Sequence, residues 1–189
     1  MTPKSNPKIV WMPTAHQAIQ FKLALKFIRP LIWRRILVPN SFTLGQLHSI
    51  IQITMGWYDC HLHMFRIGDE RFSSLNGEDP DELDMDNEND VVLKQIITRE
   101  RQKFHYEYDF GDSWEHEVIV EKLLLYDPQT PYPVCLAGAR ACPPEDCGGF
   151  PGYLGILETL AAPQKSESQK KCWNGSVRIS IRSALTWKP

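Results

Sequence analysis

Several features common in other protein classes are missing from this chain, and each absence narrows its identity. No apolar run approaches the roughly 18 residues that a membrane span requires. The opening residues, MTPKSNPKIVWMP, are broken by prolines and carry no apolar signal core, so a cytoplasmic protein is expected. Five cysteines, an odd number, fit reduced thiols better than a disulfide scaffold. No segment repeats at a 20–50 residue period. No helix-turn-helix, zinc-finger or RNP-like pattern is present. The formal charge of −2 gives no strongly basic excess of the kind a committed nucleic-acid binder shows.

What is present suits one globular domain. At 189 residues, with 42% apolar and 23% charged residues, the chain is long enough for a sizeable core. Charge is unevenly spread. Glu78 to Asp90, EDPDELDMDNEND, holds eight acids and no base, leaving a mildly basic body. Three parts are expected: an extension over 1–18, an α+β domain over 19–162, and a tail over 163–189.

The organising stretch is Lys103 to Glu121. Phe104, Tyr106, Tyr108 and Phe110 alternate with His105, Glu107 and Asp109; Trp114, His116, Val118 and Val120 then share the next apolar parity. Period two on both sides of Gly111-Asp112-Ser113 predicts a hairpin with one buried face. A three-residue loop sets the four rings opposite the second apolar set, whereas a two-residue turn sets Tyr108 opposite Glu115. The chosen register makes Asp109 face Glu115 and Glu107 face Glu117, a repulsion that requires cover by positive charge.

Elsewhere, Phe21, Leu23, Leu25 and Phe27 alternate with polar residues in a strand from Ile19, and LIWRRILV supplies an antiparallel partner. Thr43 with Gln46 forms a capping box, and Gly56 ends a helix whose inward stripe is Leu44, Leu47, Ile50, Ile51 and Met55; His48 is placed at its boundary. WYDCHLHMFRI reads as a central strand covered on both sides, with His61 and His63 on one face about 6.6 Å apart. Glu70 to Phe72 pairs back on it. Tyr126 to Gly152 is a long loop rich in Pro, Gly and Cys, functional or tied down at that length. Tyr153 to Leu160 reads as a last helix, and VRISIRSALTWKP as a strand.

The segments IWRRILVP, MGWYDCHLHMFRI, YEYDFGDSWEHE and RACPPEDCGG together resemble the plasmid pRiA4b ORF-three-like family. The resemblance runs from about Gln20 to Leu160. It implies a single two-layer α+β domain, its mixed or mainly antiparallel sheet packed by helices, and no established reaction or ligand. Some members carry insertion-element or resolvase labels, which suggests an association with mobile elements. Beyond about Trp173 the chain departs from the family's acidic continuation, and no function is placed there.

Four constellations can carry chemistry. His61, His63, Cys142 and Cys147 offer nitrogen and sulfur donors for zinc, although the Cys142–Cys147 gap is wider than usual. The acidic face Glu107, Asp109, Glu115 and Glu117 calls for Arg34, Arg35, Arg66 and Arg140 as internal partners. Lys26, Arg29, Arg34 and Arg35 around Trp33 suit a nucleic-acid backbone with stacking. Asp84 to Asp90 has oxygen donors at alternate positions, but Asn89 stands in the glycine place of a calcium loop, which favours a plain solvated loop. Nucleophilic catalysis by Ser113 or Cys60 lacks a suitable frame. The expectation is a binding module with no certain enzymatic role. Its rim comprises Asp109, Asp112, Trp114, His116, Arg140 and Glu145, and its partner is a protein or nucleic acid, not a membrane. The competing expectation is a metal-dependent hydrolase using His61, His63 and His116.

Overall fold

The computed structural model describes residues 17–74 and 84–161. The C-terminal tail, nearly all of the N-terminal extension and the first part of the acidic loop therefore lie outside the described residues. Alternation of Phe21, Leu23 and Leu25 with polar neighbours produces β1 (Gln17–Leu25), which begins two residues before Ile19 and buries that parity. It pairs antiparallel with β2 (Trp33–Pro39), Phe21 opposite Ile36 and Leu23 opposite Arg34. Phe27 does not continue the buried stripe. Its φ of 65° turns the chain out of the strand and leaves the ring 62% exposed.

Helix α1 (Leu44–Met55) starts and stops where its sequence dictates. Thr43 and Gln46 exchange side-chain-to-backbone hydrogen bonds, and Gly56, at φ 84°, donates its N–H to the Gln52 carbonyl. The next strand, β3 (His63–Ile67), is shorter than its sequence suggests. It lies inside the sheet, but Met64 is half-buried and Arg66 exposed, so only one of its faces is covered. Residues 57–62 instead form a loop in which Asp59 adopts φ 58°. His61 consequently does not share a strand face with His63.

The chain continues through β4 (Glu70–Ser73), β5 (Asp86–Asn87), a 3-10 turn (Glu88–Asp90) and α2 (Leu93–Ile96). It then enters β6 (Lys103–Tyr108), β7 (Trp114–Leu125), β8 (Val134–Ala139) and α3 (Gly149–Ala161). The last helix starts four residues earlier than Tyr153. The strands form one mixed sheet in the order β5-β4-β3-β6-β7-β1-β2-β8, parallel only between β4 and β5. One face carries the core, including Phe21, Phe65, Phe104, Tyr106, Tyr108, Trp114 and Val118, with α1 against it. This is a single two-layer α+β domain. Among the described residues no helix is long and apolar enough to cross a membrane.

The aromatic hairpin keeps its predicted faces but not its predicted register. Tyr108 pairs with Trp114, Tyr106 with His116 and Phe104 with Val118, a shift of two residues. Moving by two preserves which side chains face the core. The shift arises at Asp109 and Ser113, both left-handed at φ 58° and 51°, with Ser113 N–H bonded to the Asp109 carbonyl. Phe110 leaves the strand and becomes exposed.

Cover for the outer acids also differs from expectation. Lysines neutralise them: Lys26 pairs with Glu115 and Lys103 with Glu117 at 3.0 Å. Arg35 takes Glu121 through two nitrogens, and Ser113 donates to Glu107. Arg34 is buried on the opposite face, donating to the carbonyls of Thr54, Trp33, Ala139 and Arg140. Arg140 donates to the Pro30 carbonyl. Arg66 faces His105 across the β3–β6 pair.

Candidate functional site

Three segments distant in sequence meet at the turn end of the aromatic hairpin: the 57–63 loop, the 109–113 turn and the 140–149 loop. Trp57 anchors the first, stacking on Tyr108 at 4.9 Å and donating its indole N–H to the Pro143 carbonyl at 3.0 Å. Glu145 ties its own loop to the first segment and to the end of β6 that leads into the turn. One of its oxygens accepts from the Tyr58 N–H and the other from the Tyr108 hydroxyl, which itself accepts from the Cys60 N–H. Burial, reinforced by Glu145, holds the Tyr108 phenol protonated far above its ordinary range. Close approach of the third segment needs Gly149. At φ 64°, a Cβ there would lie 2.7 Å from the Asp112 carbonyl oxygen.

Within this frame Asp109, 7% exposed, turns its carboxylate inward. Its Oδ1 accepts from the N–H groups of Gly111 and Asp112, shaping the turn. Its Oδ2 faces His61 Nε2 at 3.7 Å, and Asp146 Oδ1 approaches the same nitrogen at 3.3 Å. That nitrogen is buried and has no hydrogen-bond partner; the same holds for Asp112 Oδ2. Among the described residues no lysine or arginine pairs with Asp109, Asp112, Glu145 or Asp146. Cys147 lies half-buried beside them, its thiol pushed up to about 11 by burial and by the charges of Asp112, Asp109 and Asp146.

A second cluster sits deeper, where α1 crosses the sheet. His48 and His63 stack face to face at 3.4 Å, inclined by 9°. Here both imidazoles reach their carboxylates at hydrogen-bond distance, although the buried Oε1 of Gln52 has no hydrogen-bond partner. Gln52 donates to the Tyr106 hydroxyl at 2.8 Å, and that hydroxyl meets His48 Nδ1 at 2.9 Å. His48 Nε2 meets Asp59 at 2.7 Å, and His63 Nε2 meets the buried Glu88 at 2.7 Å. Burial, followed by the neighbouring His63, holds the His48 pKa below its usual value, so the imidazole is neutral. A neutral ring accepting from Tyr106 and donating to Asp59 completes the chain of donors. His48 is thus an interior residue and not a boundary one, and Glu88 is not part of a solvated loop.

The structure divides the residues nominated from sequence. Asp109, Asp112 and Glu145 come together at the rim, with His61. Trp114 and His116 instead belong to the core. His116 is packed among Trp57 and Tyr106, and burial pushes its pKa down to about 4. Arg140 lies apart at Pro30. The zinc set is not gathered. His63 serves the interior cluster, while Cys142 is buried against Met55 and Arg34 with its thiol pushed up to about 12. Among the described residues the donor atoms that gather within 4.8 Å are His48–Asp59–His63 and His61–Asp109–Asp146. The hydrolase set of His61, His63 and His116 is likewise split. Asp146 was missed from sequence, although it neighbours Glu145. His48 and Glu88 carried no signal beyond their residue type.

Beside the basic set, Lys22 and Arg35 lie over the Trp33 ring, 5.1 and 5.3 Å from its centroid, and Lys26 lies over Phe27 at 4.9 Å. Arg29 is exposed and donates to the Ile28 carbonyl. Arg34, buried, takes no part in this face.

Comparison with known proteins supports the fold and the family. The chain is 34% identical over 159 residues to an uncharacterized protein, y4hQ, of Sinorhizobium fredii, covering 84% of this chain and 81% of that protein. It superposes on the crystal structure of a protein of unknown function, MM3350 of Methanosarcina mazei, with a TM-score of 0.72 and 36% identity, covering 80% of this chain and 86% of that one. The family described as plasmid pRiA4b ORF-3-like protein matches residues 17–177, and this chain belongs to that family.

Proposed function

We propose that the protein is a small binding module whose working surface is the rim formed by the 57–63 loop, the 109–113 turn and the 140–149 loop, and that the rim receives a positively charged ligand. One observation carries this reading. Asp109, Asp112 and Asp146 converge with a single imidazole for company, whereas the acids of the outer sheet face each have a lysine, arginine or hydroxyl partner. Carboxylates left without a basic partner are costly in the free protein, and a cationic ligand offsets that cost. Phosphate is repelled there.

A second reading rests on Trp33. Lys22 and Arg35 beside its ring offer charge and a stacking surface, which suits a nucleic acid of the kind a mobile-element protein meets. Pairing of Arg35 with Glu121 reduces the charge available to phosphate.

Titration of the isotopically labelled full chain, followed by amide NMR shifts, separates the two. The probes are a short Lys/Arg-rich peptide, divalent cations, and short DNA and RNA. Shifts at residues 59–61, 109–113 and 145–149 with peptide or cation support the rim. Shifts confined to Lys22, Trp33 and Arg35 with oligonucleotide overturn it in favour of the second reading. No rim response to any positively charged probe also overturns it.

A further inference from the structure

We infer that His61, Asp109 and Asp146 form a binding site for one divalent first-row transition cation, zinc or manganese; this rests on the rim reading and names its ligand. The donors come from a loop, a hairpin turn and a second loop, so the topology alone brings them to one point.

The distances favour a cation over hydrogen bonds. His61 Nε2 lies 3.3 Å from Asp146 Oδ1 and 3.7 Å from Asp109 Oδ2. Hydrogen bonds between ring nitrogen and carboxylate close to about 2.7–3.2 Å, as His48–Asp59 and His63–Glu88 both do at 2.7 Å in this same protein. Two donors bound to one ion at about 2.1 Å and a tetrahedral angle stand about 3.4 Å apart. The two histidine–carboxylate spacings match this tetrahedral zinc geometry, and the third pair of donor atoms lies within 4.8 Å.

Burial and satisfaction point the same way. Asp109 is buried, and only its Oδ1 is engaged, by Gly111 and Asp112. Its Oδ2 lies 3.7 Å from His61 Nε2, a buried nitrogen with no hydrogen-bond partner. A left-handed Asp109 holds the carboxylate in that position, and Asp146, left-handed at φ 54°, supplies its own from the facing loop. Asp112, with a buried and unpartnered oxygen on the same turn, adds negative potential.

Ligand chemistry selects the class of ion. One imidazole with two carboxylates suits zinc, manganese or ferrous iron better than calcium, which prefers oxygen alone, or Cu(I), which prefers sulfur. Three protein donors leave coordination positions for water or a second ligand. Asp146, 79% exposed, marks the open side.

The test uses the full chain, stripped with a chelator, dialysed and titrated by calorimetry with zinc chloride and, separately, manganese chloride. One equivalent of at least one ion should bind, and Asp109→Asn and His61→Gln should each weaken it at least tenfold. Asp146→Asn, at an exposed position where folding is not at stake, should weaken it as well. Wild type binding neither ion at millimolar concentration overturns the inference, as does equal binding by wild type and Asp146→Asn. A rim that shifts with the Lys/Arg-rich peptide while no ion binds leaves the rim reading standing and removes only this inference. No response to peptide or ion removes both.

Discussion

The two histidine clusters use the same residue types to opposite ends. In the interior, His48 and His63 each reach a carboxylate at 2.7 Å, and the Tyr106 hydroxyl, which accepts from Gln52, completes the hydrogen bonding of His48. At the rim, His61 stands between two carboxylates at 3.3 and 3.7 Å, its buried nitrogen unbonded. The first arrangement is closed and works for stability. The second leaves a buried ring nitrogen unbonded, and we propose that a cation takes it. One segment feeds both: the exposed Asp59 and the buried His63 bond into the interior cluster while His61 reaches the rim, so that network holds both sides of the loop that presents His61.

Perturbation should expose that division. Trp114→Ala, removing a core ring stacked near Trp57, is expected to cost about 3–5 kcal/mol in urea melts. Glu88→Ala strands His63 in the interior and is expected to cost about as much, 3–5 kcal/mol. Asp146→Ala at the rim should change stability by no more than about 0.5 kcal/mol. Equal losses from Glu88→Ala and Asp146→Ala would erase the distinction between the clusters.

Acid should act through the core first. His116 has a folded pKa of about 4 against an ordinary 6.5, because burial disfavours the imidazolium. The unfolded chain therefore takes up the proton first. Stability is intact above pH 6.5 and falls as pH drops toward 4, by roughly 1.4 kcal/mol per unit and roughly 3 kcal/mol in all. His48, also lowered, contributes in the same direction. Melts of His116→Phe between pH 7 and 4 should show a shallower decline than wild type; an unchanged slope would mean that His116 is not buried neutral.

Smaller effects sharpen the contrast. Asp109→Asn keeps an oxygen for Gly111 and Asp112 while removing one rim charge, so cation-free protein should be as stable as wild type or more so, by up to about 1 kcal/mol. A clear loss would mean that the charge is met within the protein. Lys103→Ala, on the exposed outer face, should cost under about 1 kcal/mol.

Much of the fold was legible because its causes are local. The Thr43–Gln46 box and Gly56 mark α1, and two-residue alternation marks β1, β6 and β7. The hairpin register was not legible, because it depends on Asp109 and Ser113 adopting left-handed backbone, which residue type alone does not announce. Arginine cover of the acids failed for a related reason. Arg34 has the parity of Ile36 and Val38, so alternation sends it to the core, where carbonyls satisfy it. The rim was legible in part. Asp109, Asp112 and Glu145 stood out in motif-bearing stretches, but joining them to His61 and Asp146 requires three segments to meet in space. The paired histidines on one supposed strand misled, because Asp59 bends the chain before His63 begins β3.

Anomalous diffraction from crystals soaked in manganese or zinc, recorded above and below the metal edge, tests the central claim most directly. A single peak is expected between His61 Nε2, Asp109 Oδ2 and Asp146 Oδ1, with none beside the stacked rings of His48 and His63. A peak at His48, Asp59 and His63 instead, or no peak within the protein, would contradict the account.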